Sequence, residues 1–123
     1  SDFIPVVAPI GYGNNSKTYN INGDTVAGAL ASSLSADRLL LLTDVEGVKS
    51  SEGNLIPQLD PMRARKLIKD GVISEGMIPK VNTSLDAIEN GVRASVIIDG
   101  RVEHSCLLEL FTSHGAGTLF RNS

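Results

Sequence analysis

Three short polar clusters in this sequence carry side chains that could bind a small anionic ligand. The first is residues 19–24, where Asn20 and Asn22 lie two positions apart in a segment that alternates like a strand. Because alternate residues of a strand point to the same face, the two amides could act together on a carboxylate or an amide. Asp24 follows at the expected start of a helix. The simpler interpretation is that Asp24 caps the helix and the asparagines make turn hydrogen bonds.

The second cluster follows an apolar run of strand length and consists of Thr43, Asp44, Val45, Glu46, Gly47, Val48 and Lys49. Sheets of α/β proteins bind ligands outside the carboxyl ends of their strands, which makes Thr43 and Asp44 a candidate site. Asp44 could accept a hydrogen bond from a ribose hydroxyl or an adenine amine, and the N–H groups after it could contact phosphates. An Asx turn after a core strand is the alternative. The segment matches neither a Walker A loop nor a dinucleotide fingerprint.

The third cluster, residues 74–80, places Lys80 in the first turn of an expected helix. A lysine at this end of a helix is unfavourable in the field of the helix dipole, by roughly 0.3–1 kcal/mol. A bound anion would reverse the effect, because the lysine, the free N–H groups and the dipole would all attract it. A solvated lysine is the alternative interpretation.

The composition is that of an ordinary globular domain with 123 residues, enough for one core. A net charge of −3 and an aromatic content of 4% disfavour nucleic acid as a partner. No apolar run approaches the ~18 residues of a membrane span, so we expect no membrane partner. The single Cys106 favours a reducing compartment, the cytoplasm or a plastid in a photosynthetic eukaryote. His104 and His114 lack metal-ligand spacing, and we expect no metal site.

The elements that must position these clusters alternate between strands and helices. We expect strands at residues 3–10, 18–22, 38–43, 93–98 and 118–120, and a hairpin whose tip is residues 50–54. We expect helices at residues 24–34, 60–69, 79–90 and 104–110. The strand at 38–43 is expected to be central and buried. The alternation predicts a single α/β domain with a largely parallel sheet.

In this order, residues 19–24, 42–48 and 76–81 resemble motifs of the amino acid kinase superfamily. Together with residues 104–112 and 115–118, the resemblance narrows to the N-acetylglutamate kinase family and spans nearly all of the chain. It implies the C-terminal, ATP-binding half of a carbamate kinase-like fold, in which helices sandwich a largely parallel sheet. The chain begins at Ser1, without Met, and enters a strand-like segment at once, so we expect a longer parent protein.

The resemblance implies that ATP, with Mg²⁺ bridging its phosphates, phosphorylates the side-chain carboxylate of N-acetyl-L-glutamate in arginine biosynthesis. Lys80 would stabilise the transferring phosphoryl group, and Asp24 would organise the catalytic lysines. Asn20, with Asn22 beside it, would bind the acetylamino acid. The nucleotide would lie against Thr43, Asp44, Val45, Glu46, Gly47, Val48, Lys49, Val72, Ile73, Ser74, Gly76 and Met77.

The lack of a catalytic base in this sequence agrees with that chemistry. A carboxylate is already ionised at neutral pH, and phosphoryl transfer depends mainly on positioning and positive charge. In the family, a second catalytic lysine, a Gly-Gly loop and an arginine for the substrate belong to the first half, which does not match this chain. We therefore expect the isolated chain to bind nucleotide weakly and to have little or no kinase activity. In the family, oligomers form mainly through that first half, so we expect homo-oligomers of the full-length protein.

Two other functions stay open. One is a related kinase of the aminoadipate or uridylate type, although Asn20 and Asn22 argue against a nucleotide as acceptor. The other is a non-catalytic nucleotide-binding or regulatory module that a partner chain completes. Whether arginine inhibits the enzyme is not decided by these residues.

Overall fold

The computed structural model of the chain describes residues 2–113 and 115–123, so expectations that involve Ser1 and His114 lie outside the described residues. Within these ranges the elements are β1 (Ile10–Tyr12), β2 (Thr18–Asn20), α1 (Gly23–Ser33), β3 (Arg38–Thr43), β4 (Gln58–Leu59), α2 (Pro61–Lys69), α3 (Ile78–Glu89), β5 (Ala94–Asp99), α4 (Ser105–Phe111) and β6 (Gly117–Phe120). β1 and β2 form a small antiparallel hairpin.

The remaining strands form one sheet in the order β3-β5-β6-β4. β3 pairs in parallel with β5, and β4 in parallel with β6, whereas β5 and β6 are antiparallel. Two of the three neighbouring pairs are thus parallel, which confirms the predicted α/β fold with a largely parallel sheet. β5 buries all six of its side chains, as expected for an apolar strand with a neighbour on either side.

Side chains of β5 alternate between two helical layers. Ser95 Oγ donates a hydrogen bond to Ser84 Oγ of α3 at 2.8 Å. The next residue, Val96, points to the opposite face, where it lines a cavity together with Glu109 of α4. Helices therefore cover both faces of the sheet, and the predicted sandwich is confirmed.

The hydrophobic core lies between the sheet and α3. Phe120, Ile97 and Leu59 come from the strands, and Val81 and Leu85 come from α3; all five are at most 2% exposed. Burying a large apolar side chain contributes roughly 1.5–3 kcal/mol relative to leaving it exposed. Because Val81 is in the first turn of α3, the core holds the start of this helix in place.

The expected strand at residues 3–10 is wrong for most of its length. Only Ile10 belongs to a strand, and the side chains of Phe3, Ile4 and Val6 are 86%, 90% and 94% exposed. Pro5 and Pro9 lack the N–H that a sheet interior requires. The apolar pattern alone therefore overestimated the strand.

The expectation that residues 38–43 form the central strand is also wrong. The strand exists as β3, with the expected bounds, but it lies at an edge of the sheet and leaves Leu42 48% exposed. β5 and β6 are the two inner strands. The short strand β4 was not expected, because two residues are too few to show alternation.

Candidate functional site

Lys80 and Asp24 form an ion pair between the first turns of two packed helices. Lys80 Nζ lies 2.6 Å from Asp24 Oδ2, although the two residues are 56 positions apart in the sequence. Their side chains are 20% and 29% exposed, so the pair is partly buried and still open to a ligand. The structure thus brings together the two residues predicted to act on the phosphoryl group.

A close approach of α1 and α3 makes this pair possible. A Cβ atom on Gly28 of α1 would lie 2.8 Å from Thr83 Cγ2 of α3, inside normal van der Waals contact. Any larger residue at position 28 would push the helices apart or displace Thr83. The glycine therefore sets the distance across which Asp24 reaches Lys80.

The N-terminal cap of α1 is Asn22, and the expectation that Asp24 or Thr25 caps this helix is wrong. Asn22 Oδ1 accepts hydrogen bonds from the backbone N–H groups of Asp24 at 2.9 Å and Thr25 at 3.2 Å. This cap leaves the carboxylate of Asp24 free for Lys80. It also engages the amide oxygen of Asn22, so any substrate contact there would use the remaining NH₂ group.

Asn20 is the last residue of β2 and its side chain is exposed. It precedes the cap of α1 by two residues, so the hairpin delivers it beside the helix start that carries Asp24. Its role in binding an acceptor stays a prediction.

A cavity of about 220 Å³ opens between two loops near the start of α3. Its lining residues are Val45, Gly47, Val48, Lys49, Ser50, Val72, Ile73, Ser74 and Met77. All of them except Ser50 were predicted from the sequence to contact a nucleotide. The same prediction included Thr43, Asp44, Glu46 and Gly76, which do not line this cavity. Ser50 was missed because the pattern assigned it only to a hairpin tip.

Hydrogen bonds in the backbone hold both walls of the cavity. In one wall, Ile56 N donates to Val48 O and Ser50 N donates to Asn54 O, each at 2.8 Å, as expected of the predicted hairpin. In the other wall, Val72 N donates to Leu67 O of α2 at 3.0 Å. These hydrogen bonds fix the backbone of both loops that line the cavity.

The carboxyl edge of the sheet next to these loops carries a charged pair that the sequence analysis did not single out. Asp99 ends β5 opposite Thr43, and it accepts hydrogen bonds from Arg101 Nε at 3.0 Å, Nη2 at 2.9 Å and backbone N at 2.9 Å. The side-chain bonds to Arg101, and then the backbone bond, lower the pKa of Asp99 to about 2. Asp99, and more weakly Asp44 and Glu46, raise the pKa of Arg101. The sequence feature that could have indicated this pair is Arg101, which lies two residues after Asp99 at the carboxyl end of β5.

An Asp99→Asn variant is expected to lose less stability than the original chain when the pH falls from about 4 to about 2. An unfolded Asp takes up its proton near the ordinary pKa of 3.8, whereas folded Asp99 does so at about 2. Acid therefore favours the unfolded state in this window, and the stability that the carboxylate provides above it is lost. Urea unfolding at a series of pH values measures the slope. Asp37→Asn, at an aspartate that is 87% exposed, is the control; equal slopes for Asp99→Asn and the original chain would contradict the prediction.

Comparison with known sequences places this architecture in a family. The profile of the amino acid kinase family matches residues 1–99. The chain therefore belongs to the amino acid kinase family. Within known proteins it is 59% identical over 120 residues to acetylglutamate kinase from Ruegeria pomeroyi, a match that covers 98% of this chain and 42% of the relative. It is likewise 59% identical to acetylglutamate kinase from Rhodospirillum rubrum, over all of this chain and 40% of the relative.

Solved structures show the same fold. N-acetylglutamate synthase from Neisseria gonorrhoeae, in complex with coenzyme A and N-acetyl-glutamate, superposes with a TM-score of 0.87 at 30% identity, over 94% of this chain and 27% of that one. Carbamate kinase from Giardia lamblia superposes with a TM-score of 0.70 at 21% identity, over 93% and 37%. The chain spans about two fifths of the length of the acetylglutamate kinases that it matches.

None of the helices within residues 2–113 and 115–123 is long and apolar enough to cross a membrane. In the same part of the chain, no three side chains of His, Cys, Asp or Glu are grouped so that they could hold a metal ion.

Proposed function

We propose that this chain is the ATP-binding part of an acetylglutamate kinase and that the cavity beside α3 holds the nucleotide. The observation that carries the proposal is the position of Met77, which lines the cavity and is also the N-cap residue of α3. Lys80 follows three residues later, about one turn along the helix. A nucleotide seated in the cavity would thus direct its phosphates toward the start of α3.

The volume of the cavity suits only part of an ATP molecule. Sites that enclose a whole drug-sized ligand have volumes of about 300–1,000 Å³, and this one has about 220 Å³. The base and ribose would therefore occupy the cavity, while the phosphates extend past its mouth. In the first turn of α3, Pro79 has no N–H, and Ile78 N and Val81 N donate to Ser74 O at 3.1 Å and to Met77 O at 3.0 Å. Lys80 N is therefore the N–H of that turn that could donate to a phosphate oxygen.

Phosphoryl transfer to a carboxylate requires little covalent participation by the protein. An oxygen of the acceptor carboxylate attacks the γ-phosphorus, and the bond from phosphorus to the bridging oxygen of ADP breaks. Lys80 would place positive charge where negative charge spreads over the transferring group. Asp24 would keep the ammonium of Lys80 in position, because their ion pair fixes one of its three donors.

Mg²⁺ would enter with ATP as part of the substrate. This cation usually keeps several waters and binds through substrate phosphates and one or two carboxylates. Glu46, which lies in the sequence between the cavity-lining residues Val45 and Gly47, could supply such a carboxylate.

Acetylglutamate as acceptor rests on the relatives at 59% identity and on the predicted role of Asn20. By name these relatives are acetylglutamate kinases of bacteria. Arginine biosynthesis in the cytoplasm and a homo-oligomer of the longer protein are further parts of this proposal, which the resemblance to the family implies. A second candidate is a nucleotide-binding module without activity of its own. The cavity supports this candidate as well, because nucleotide binding there needs no acceptor site.

A cavity-filling variant tests the nucleotide site. Val45→Trp is expected to weaken ATP binding by at least about tenfold, because Val45 lines the cavity and is 38% exposed. Val102→Trp is the matched control, since Val102 is 47% exposed and does not line the cavity. Amide chemical shifts recorded during an ATP titration measure affinity and location together. The proposed nucleotide site would be refuted if ATP changed no amide chemical shifts within residues 45–50 and 72–77. Equal ATP affinity of the Val45→Trp and Val102→Trp variants would refute it as well.

A further inference from the structure

We propose that Thr118 is a positioning residue for the nucleotide cavity, whose hydroxyl holds the wall made by residues 47–56, here called the cavity hairpin. This inference rests on the proposed function, because it assigns to Thr118 an effect on nucleotide affinity. Thr118 itself does not line the cavity. It acts through the two strands of the hairpin that it contacts.

The hydroxyl of Thr118 bridges both strands of the cavity hairpin. Its Oγ1 accepts a hydrogen bond from Val48 N at 2.9 Å and donates one to Ile56 O at 2.7 Å. The same two residues are bonded to each other, since Ile56 N donates to Val48 O at 2.8 Å. Thr118 is 0% exposed, so water does not reach the hydroxyl to replace it. One buried side chain thus closes a ring of hydrogen bonds at the base of the hairpin.

Thr118 is itself held firmly by the sheet. It lies on β6, paired with Ile97 of the inner strand β5. A Cβ atom on the preceding residue, Gly117, would lie 2.0 Å from the carbonyl oxygen of Ile97. β6 therefore approaches β5 too closely for any side chain at position 117. The hydroxyl consequently connects the cavity wall to the inner strands of the sheet.

The backbone of the cavity hairpin lies directly against the hydroxyl of Thr118. Gly47, which lines the cavity, has a φ of +149°, a conformation that other residues rarely adopt. A Cβ atom there would lie 2.8 Å from Thr118 Oγ1 and 2.9 Å from Leu55 Cδ1. Gly47 and Val48 are thus in contact with Thr118 on one side and with the cavity on the other. Movement of the wall away from Thr118 would change the shape of the cavity directly.

Thr118→Val removes the hydroxyl and keeps the size of the side chain. The Val48 N–H and the Ile56 carbonyl would then be buried without that partner, which favours a displaced hairpin. We expect the dissociation constant for ATP to rise about tenfold. Thr118→Ser retains the hydroxyl and is expected to bind ATP within about twofold of the original chain.

Ser95→Ala is the control for a merely structural effect. It also removes a buried hydroxyl that makes a hydrogen bond, to Ser84, but neither serine lines the cavity. We expect Ser95→Ala to lower the free energy of unfolding and to leave ATP affinity unchanged. If Thr118→Val lowers stability but binds ATP as tightly as Ser95→Ala does, the inference is overturned.

The experiment titrates the 123-residue chain and its variants with ATP and measures amide hydrogen exchange without ligand. Faster exchange at Val48 in Thr118→Val alone, with weaker ATP binding, supports the inference. Failure of the original chain to bind ATP would overturn the proposed function and the claimed effect on affinity. Exchange at Val48 still decides whether Thr118 holds the hairpin: unchanged exchange in Thr118→Val shows that it does not.

Discussion

Lys80→Ala is expected to lower kcat for phosphoryl transfer by about a hundredfold to a thousandfold, the usual effect of removing one preorganised group that stabilises transition-state charge. The assay uses this chain joined to the remaining part of the Ruegeria pomeroyi enzyme, to which it is 59% identical. KM for ATP should change much less than kcat, because the cavity proposed to hold the base and ribose does not include Lys80. This split between kcat and KM distinguishes a role at the reacting group from a role in binding.

Lys66→Ala is the matched control for that measurement. Lys66 is also a helical lysine paired with an aspartate, since its Nζ lies 2.9 Å from Asp70 Oδ2, but its side chain is 73% exposed on α2. We expect kcat within about twofold of the original fusion, as for most surface substitutions. Retention of full kcat by Lys80→Ala, in a variant that circular dichroism shows to be folded, would remove Lys80 from the mechanism.

The isolated chain is expected to turn over at least about a thousandfold more slowly than the fusion. The resemblance to the family assigns a second catalytic lysine and a substrate arginine to a part that this chain does not match. Without them, Lys80 would supply only one side of the charge around the transferring phosphoryl group. Coupled detection of ADP release, with N-acetyl-L-glutamate as acceptor, measures both rates.

Addition of the missing part as a separate polypeptide is the companion experiment. Recovered turnover, absent when the added mixture contains the Lys80→Ala chain, would show that the two parts complete one site. Turnover by the isolated chain at the rate of the fusion would contradict the expected division of the site. Binding of ATP without turnover in any combination would favour the nucleotide-binding module instead.

Local sequence patterns predicted most helices and strands because their signals are local. α2 begins after Asp60, whose side chain accepts from Arg63 N, with proline in the first turn, as the pattern indicated. Local patterns do not predict the order of the strands in the sheet. β3 and β5 each have six residues, and only pairing with β6 gives β5 an inner position in the sheet. Such pairing joins distant residues, which periodicity within one segment does not reveal.

The site shows the same division between local and distant information. Asn22 and Asp24 are both good caps, and the sequence between them does not decide which one caps α1. In the folded chain Asn22 is the cap, and the carboxylate of Asp24 instead pairs with Lys80, 56 residues away. The residues around the cavity were predicted from resemblance to a family, whereas Ser50 and Thr118 depend on contacts that only the folded chain makes.

The hydrogen bonds of Thr118 have a consequence for the order of events during synthesis. The hairpin that forms the cavity wall is complete by Ile56, but the hydroxyl that holds it comes 62 residues later. At a synthesis rate of about 5–20 residues per second, Thr118 is added on the order of 3–12 s after Ile56. β6 thus leaves the ribosome after both loops that line the cavity, and its hydroxyl at Thr118 reaches the hairpin late. A nucleotide in the cell would meet the finished cavity only after the chain has been released far enough for β6 to pair with β5.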